Sequence, residues 1–278
     1  MELTGDGAPN PAGGDLHPDL AMAKAQLREF GCATVPNVIS ETESERLLGL
    51  LWAAVDESKR RGVTTSLPQF DPNDSNVRVL HLPEWNDDFR DMLLNPIALE
   101  LVRATIGDDF LVSNFTANIA RPGACSMPVH SDQGFIVPEP WLQPWAINII
   151  WCLTDVCFEN GGTLYLPGSH KYQHRSEVPD NPRSLMKPFI AKRGSIVAMD
   201  GRLWHTSGNN ITDADDRALM FAFYTLPFLR PQVNWNAVLS PQTQAGLSRE
   251  LGVLLGMNEQ ANQALSSAYH RDNQAPPV

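Results

Sequence analysis

Apolar residues recur at helical spacing in four segments of the chain. The predicted helices cover residues 19–30, 40–61, 96–106 and 240–255. Gly31 is placed to end the first helix, because glycine readily adopts the left-handed conformation that closes a helix. Ser40 and Glu43 have the three-residue spacing of a capping box at the start of the second. Helices are therefore expected near both ends of the chain.

The middle of the chain has a different pattern, in which short apolar and β-branched runs alternate with turn residues. The predicted strands cover residues 110–120, 146–153, 162–166, 195–199 and 218–226. An earlier run, 32–38, is expected at a sheet edge because Pro36 cannot donate to a ladder. Many short strands separated by glycine and proline favour a β-sandwich or barrel with helices packed on it.

The domain organisation follows from composition. Residues 1–18 are rich in Gly and Pro, have little to bury, and are expected to form a flexible tail. Residues 19–278 show no internal repeat and no sharp change in composition, so they are expected to form one domain with a C-terminal helical segment. The polar segment after Met257 would suit either a lid or a contact with a neighbouring subunit, and the second is compatible with a homodimer.

Net charge disfavours two classes of partner, and the cysteines indicate the redox state of the protein. The formal net charge is -11 and the pI about 5.0, which disfavours nucleic acid and anionic membranes. No run approaches the roughly 18 apolar residues of a spanning helix, and no secretory signal is visible at the start. The four cysteines form no Cys-x-x-Cys pair and are typical of a reduced protein. A cytoplasmic location is therefore expected.

A candidate metal site is formed by His130-Ser131-Asp132 and the later His205. On an extended strand the first and third side chains share a face. Two imidazoles and one carboxylate suit non-haem Fe(II) with open coordination positions, although the same set also fits zinc or manganese. Taken alone, the local sequence around His205 favours a satisfied core histidine beside Trp204 over a metal ligand.

A buried cation is predicted next. Arg217 opens the apolar run 218–223, and a guanidinium there needs an anionic partner because an unpaired buried charge is costly. That partner would be a carboxylate-bearing cosubstrate, held by the planar fork of the arginine. The alternative is a surface salt bridge with Asp213, Asp215 or Asp216.

The segment from Gly161 to His170, GGTLYLPGSH, permits tight backbone geometry around a short strand. Thr163 could offer its hydroxyl to a bound carboxylate. The alternative is a purely structural hairpin with His170 at the surface.

Together these motifs resemble the phytanoyl-CoA dioxygenase-like Fe(II)/2-oxoglutarate oxygenases. The matching pieces are residues 130–132, 161–170, and 204–208 with Arg217, together with the opening stretch 27–47. The resemblance covers roughly residues 20–230.

The resemblance implies a double-stranded β-helix (a jelly roll of the cupin type), mainly β with flanking helices. It implies Fe(II) held by His130, Asp132 and His205, with 2-oxoglutarate and O₂ as cosubstrates. The residues implied to hold 2-oxoglutarate are Arg217, Thr163, Ser207 and Arg78.

The substrate is expected to be hydrophobic. The branch that acts on specialised metabolites often has Gln where this chain has Met127, which makes the pocket more apolar, and no basic cluster for a CoA thioester is visible. The candidate substrate contacts are Met127, Phe135, Asn148, Trp151 and Gln133. Residues 57–75 include a loop that could close over the site.

The sequence therefore predicts a dioxygenase that oxidises an unactivated C–H bond of a polycyclic natural product such as a terpenoid, by hydroxylation, desaturation or rearrangement. One alternative is a hydroxylase of a small polar metabolite such as an amino acid, which would need further charged anchors. Another is a non-catalytic β-sandwich that binds structural zinc.

Overall fold

Nine strands in two antiparallel sheets form the centre of the protein, in a computed structural model that describes residues 17–257. The strands are β1 Cys32–Val35, β2 Asn76–Val79, β3 Leu111–Ala120, β4 Ala146–Cys152, β5 Leu164–Tyr165, β6 Lys187–Pro188, β7 Ile196–Asp200, β8 His205–Thr206 and β9 Arg217–Thr225. The larger sheet has the order β1-β7-β4-β9-β3-β2, and β6-β5-β8 form the smaller one. All six predicted strands are present, and β1 lies at an edge, as its proline predicted.

The helices are α1 Leu20–Phe30, α2 Glu41–Arg60, α3 Leu82–Trp85, α4 Asp87–Met92, α5 Pro96–Ile106, α6 Trp235–Val238, α7 Pro241–Gly246 and α8 Arg249–Leu254. Gly31 ends α1 with φ 78°. The Ser40 hydroxyl accepts from the Glu43 amide at 3.1 Å, whereas the Glu43 carboxylate turns to Arg46 and does not complete the capping box.

The sequence predicts a single helix over residues 240–255, but the structure has two helices there. The helix ends at Gly246, Leu247 is extended, and the Ser248 hydroxyl accepts from the Leu251 amide at 3.1 Å to start a second helix. A serine cap inside an apolar pattern favours a new start over continuation.

Alternation along the strands gives the larger sheet two distinct faces. On β4, Ile147, Ile149 and Trp151 join the apolar core that the helices cover. The intervening residues point to the other side, where Ile150 and Cys152 lie in a second cluster and Asn148 lines a cavity. The period of two in a strand thus separates the helix-packed core from the face that carries the functional groups.

Gly194 closes the turn before β7 at a point where the chain passes very close to itself. Its φ is +81°, and a Cβ there would lie 2.3 Å from the Ile39 carbonyl oxygen. We expect Gly194→Ala to lower the free energy of unfolding by about 2–4 kcal/mol, through the left-handed backbone and the clash. Gly49→Ala, an open helical position, should instead be neutral or stabilising by up to ~1 kcal/mol. Denaturant unfolding measures both, and equal effects would contradict the prediction.

Between residues 17 and 257, no helix is long and apolar enough to cross a membrane. The predicted flexible tail lies, apart from residues 17 and 18, outside the described residues, as does the segment after Met257.

Candidate metal centre and active site

The two histidines of the predicted triad meet through their backbones. The His130 amide donates to the His205 carbonyl at 2.9 Å, and the His205 amide donates back at 2.8 Å. Their ring centroids are 4.3 Å apart. The side chain of His205 therefore lies against that of His130.

Asp132 reaches the same point by a route that differs from the prediction. His130 and Asp132 are expected on one strand or at its end; His130 forms a single β-bridge with His205, and Asp132 already starts a short 3-10 helix, Asp132–Phe135. Ser131 turns inward, and its hydroxyl donates to the Gly201 carbonyl at 3.0 Å. Because Ser131 is held toward Gly201, the side chains of His130 and Asp132 both point to the opposite side. The two residues therefore share a face, as predicted.

The ligand atoms of the triad converge. Oδ1 of Asp132 lies 3.8 Å from Nε2 of His130 and 3.8 Å from Nε2 of His205. All three candidate ligand atoms lie within 4.8 Å of one another. This is the two-histidine, one-carboxylate set that binds non-haem iron and leaves positions open for other ligands.

Backbone carbonyls behind the triad fix the tautomer of its two histidine rings. Nδ1 of His130 lies 3.0 Å from the Pro128 carbonyl, and Nδ1 of His205 lies 2.9 Å from the Leu203 carbonyl. Because a carbonyl only accepts, Nδ1 carries the proton in both rings and the Nε2 lone pairs face inward.

The charge states also suit a metal ion. Burial, with the neighbouring His205, lowers the pKa of His130 to about 4, so its ring is neutral near pH 7. The Asn148 amide donates to Oδ2 of Asp132 at 3.1 Å and leaves Oδ1 for the ion. The donor set and its supporting hydrogen bonds therefore fit iron.

Arg217 is the other predicted functional group, and it is buried without a partner. It begins β9, is 1% exposed, and forms no ion pair with a carboxylate of residues 17–257. Its Nε has no hydrogen bond. Burial lowers the pKa of Arg217 to about 10, and the charge of Arg78 contributes. The alternative salt bridge with the nearby aspartates is thus not formed.

A cavity of about 400 Å³ joins the triad to Arg217. Most predicted site residues line it: His130, Asp132, His205, Arg217, Thr163, Ser207, Arg78, Met127, Phe135 and Asn148. Thr163 is buried, and the Ser207 hydroxyl accepts from the Met127 amide at 3.1 Å. Arg78 forms a two-point ion pair with Asp71.

Two predicted substrate contacts lie elsewhere. Trp151 is 1% exposed in the core beneath the helices, because it is three residues from Asn148 and so points to the opposite face of β4. Gln133 is fully buried and holds the backbone of Gln143 and Trp145 through both ends of its amide. Both predictions are therefore corrected.

The alternative of a purely structural hairpin predicts His170 at the surface, but His170 is buried. It is 3% exposed, and its Nε2 lies 3.1 Å from the Arg28 carbonyl. It packs against the turn at Gly31, where a Cβ would lie 2.6 Å from its ring. His170 therefore fastens α1 to the segment that follows β5.

Several cavity residues were not anticipated. They include the strand residues Asn114, Thr116 and Asn118, and Phe221 and Phe223, whereas Leu67, Gln69 and Phe70 belong to the predicted loop 57–75. The sequence of β3 indicates its cavity residues, because polar residues at every second position interrupt an otherwise apolar strand. That period marks a strand with one polar face, here the wall of the cavity.

Comparison with known proteins agrees with this geometry. The family model of phytanoyl-CoA dioxygenase matches residues 27–218. The dioxygenase af480 of Aspergillus fumigatus is 50% identical over 244 residues, which cover 88% of this chain and 79% of that protein. The dioxygenase trt7 of Aspergillus terreus is 29% identical over 217 residues, covering 73% of each chain.

Solved structures share the fold. HygX of Streptomyces hygroscopicus, determined with nickel and 2-oxoglutarate bound, aligns with a TM-score of 0.59 at 17% identity, covering 76% of this chain and 88% of HygX. The 2-oxoglutarate-dependent epimerase SnoN from nogalamycin biosynthesis gives 0.60 at 19% identity, covering 74% and 80%. The predicted cupin-type architecture is thereby confirmed, although the two sheets of the described residues do not close into a barrel. With its His-Asp-His triad and family match, the chain belongs to the phytanoyl-CoA dioxygenase family and is a 2-oxoglutarate-dependent non-haem iron dioxygenase.

Proposed function

We propose that this enzyme oxidises an unactivated C–H bond of a neutral, hydrophobic, polycyclic natural product. The observation that carries the proposal is one cavity that holds the triad, an arginine without an acidic partner among the described residues, and a wall that combines large apolar side chains with uncharged polar ones. The apolar lining residues are Leu67, Phe70, Leu80, Met127, Phe135, Phe221 and Phe223.

The residues would divide the work as follows. His130, Asp132 and His205 would hold the iron, and Arg217 would bind the distal carboxylate of 2-oxoglutarate. A buried guanidinium with no protein partner is stabilised by such an anion, which supports this assignment. The Thr163 and Ser207 hydroxyls line the same cavity and would add hydrogen bonds to the cosubstrate.

When bound, iron with 2-oxoglutarate and O₂ would supply the oxidising power, at the cost of converting the cosubstrate to succinate and CO₂. The protein's contribution is to hold the reacting carbon close to the metal and to keep water away. Met127 and Phe221 offer apolar contacts in the cavity that holds the triad, while Asn148 keeps the Asp132 carboxylate oriented.

The charges in the cavity favour a neutral substrate over an amino acid. Among its lining residues, Asp132 is the one carboxylate and is assigned to the metal. The cations are Arg217, assigned to the cosubstrate, and Arg78, paired with Asp71. No free charge is left in the described wall for a charged substrate, and a cavity of about 400 Å³ is in the range of small-molecule sites.

A substrate screen tests this assignment. We expect neutral polycyclic compounds, such as terpenoids and indole alkaloids, to raise succinate formation about tenfold above the rate without substrate, because a filled cavity couples oxidation to a bound C–H bond. Amino acids should leave the rate unchanged. The Asp132→Ala protein serves as the control without metal-dependent turnover. Stimulation by amino acids alone would contradict the proposal and favour the polar-metabolite alternative.

The homodimer and the cytoplasmic location stay predictions.

A further inference from the structure

The turn 200–203 connects β7 to β8 and packs tightly against the larger sheet. The Leu203 amide donates to the Asp200 carbonyl at 2.9 Å and closes the turn. The Gly201 amide donates to the Ala146 carbonyl, also at 2.9 Å, at the start of β4. A Cβ on Gly201 would lie only 2.8 Å from that carbonyl oxygen. The backbone of the turn therefore has a fixed place beside β4.

The carbonyl of Gly201 holds the segment that carries two of the candidate iron ligands. It accepts from the Ser131 hydroxyl at 3.0 Å and from the Gln133 amide at 2.6 Å. Ser131 and Gln133 are the neighbours of Asp132 in the chain, and Ser131 also follows His130. The direction in which the Asp132 carboxylate points thus depends on where the Gly201 carbonyl lies.

The carbonyl of Leu203 holds the third candidate ligand. It accepts from Nδ1 of His205 at 2.9 Å, and the Leu203 side chain is fully buried. That bond fixes the rotation of the His205 ring, whose Nε2 lies 3.8 Å from Oδ1 of Asp132. One four-residue turn therefore contributes two carbonyls that orient the ligand set from behind.

The side chain of Asp200 stabilises the shape of this turn. Its Oδ1 accepts from the Arg202 amide at 2.9 Å and from Nε of Arg202 at 3.1 Å, while Oδ2 accepts from Nη2 at 3.0 Å. The two side chains are 5% and 12% exposed, and neither lines the cavity that holds the triad. An aspartate that bonds the amide two residues further on favours a turn, and a two-point arginine pair strengthens the contact.

We propose that Asp200 is a positioning residue for the iron ligands. By fixing the turn 200–203, it places the carbonyls of Gly201 and Leu203, through which the Asp132 segment and the His205 ring are oriented. Hydrogen-bonding partners behind metal ligands typically change metal affinity by roughly 10–100-fold. This inference rests on the proposed set of iron ligands.

The test is the Fe(II) affinity of the full-length protein, titrated calorimetrically in the absence of O₂. We expect Asp200→Ala to weaken Fe(II) binding about tenfold, at the lower end of that range because the residue acts through the turn. Asp200→Asn keeps an oxygen for the Arg202 amide, so it should lose only about two- to threefold.

A second readout follows the turn itself and needs no metal. The Gln133 amide donates to Gly201, so its hydrogen exchange reports how firmly the turn holds this segment. We expect the amides of residues 131–136 in the metal-free protein to exchange about tenfold faster in Asp200→Ala than in the wild type. Hydrogen exchange followed by mass spectrometry measures this difference.

Asn95→Ala is the matched control. The Asn95 side-chain oxygen also accepts from backbone amides, those of Ile97 and Ala98 at 3.0 Å and 3.1 Å, at the start of α5. Its loss should lower the melting temperature, because a helix cap is removed. Fe(II) affinity and hydrogen exchange of residues 131–136 should remain those of the wild type.

These results separate positioning from mere stabilisation. Wild-type Fe(II) affinity, or wild-type exchange of residues 131–136, in folded Asp200→Ala would overturn the inference, as would equal weakening of Fe(II) binding by Asn95→Ala. If Asp200→Ala does not fold, the same two measurements on Asp200→Asn decide. Wild-type Fe(II) binding by Asp132→Ala would instead count against the proposed iron ligands themselves.

Discussion

Asp132→Ala is expected to reduce the turnover of 2-oxoglutarate by at least about a thousandfold. Loss of a hydrogen bond behind a metal ligand costs roughly 10–100-fold, and loss of the ligand itself costs more. Asp132 supplies the only carboxylate of the triad, and its Oδ1 lies 3.8 Å from both imidazole nitrogens. Without it, two neutral imidazoles remain to hold a divalent ion.

The measurement is succinate formation together with iron content after reconstitution. Asp155→Ala is a suitable control, because that carboxylate is exposed and pairs with Lys192 on the surface. It should bind iron and turn over like the wild type. Wild-type succinate formation by Asp132→Ala would show that the metal is held elsewhere.

Arg217→Met is expected to have two effects of opposite sign. It should weaken 2-oxoglutarate binding by roughly 10- to 100-fold, the equivalent of a lost hydrogen bond to a charged group. It should also stabilise the protein without cosubstrate by about 1–3 kcal/mol, because methionine replaces a buried guanidinium that has no acidic partner in residues 17–257.

Calorimetric titration and denaturant unfolding of the same preparation measure these two quantities. Arg217→Lys provides the comparison, since it keeps the charge and loses the planar fork. Its affinity should lie between those of the wild type and Arg217→Met. A variant that is less stable and yet binds 2-oxoglutarate normally would mean that Arg217 is structural.

The expected changes in 2-oxoglutarate affinity and in stability differ in sign because stability and function conflict at this site. A buried cation at the start of an apolar strand destabilises the empty protein, and it is retained where an anionic ligand compensates it. Arg78 has its own carboxylate nearby, at 2.6 Å in the closest contact. Arg78 and Arg217 line the same cavity and thus differ in whether a carboxylate of the described residues pairs with them.

Much of the fold follows from local sequence, because the signals act over a few residues. Gly31 ends α1, and the Ser40 hydroxyl caps α2, as their positions predicted. The strands β3, β4 and β9 appear within a few residues of their predicted bounds. Caps and strand periodicity depend on neighbours in the chain, so they can be recognised without knowing the tertiary structure.

The grouping of the candidate site residues was also predicted from the sequence. His130, Asp132, His205 and Arg217 were predicted from residue type and from the motifs around them, and the structure brings them to one cavity. For a single residue such as His205, the local sequence leaves two interpretations open. The environment of His205 depends on the pairing with His130, across a separation in the chain that no local pattern spans.

The tertiary structure alone decided which face of each element is functional. Trp151 and Asn148 lie on the same strand, but only the packing of the helices shows that Trp151 belongs to the core and Asn148 to the cavity. Gln133 was mistaken for a substrate contact because its backbone partners come from a different segment. The sequence by itself determined which groups and local elements this protein has. Their orientation and partners were decided by long-range packing, because burial and hydrogen bonding depend on residues distant in the chain.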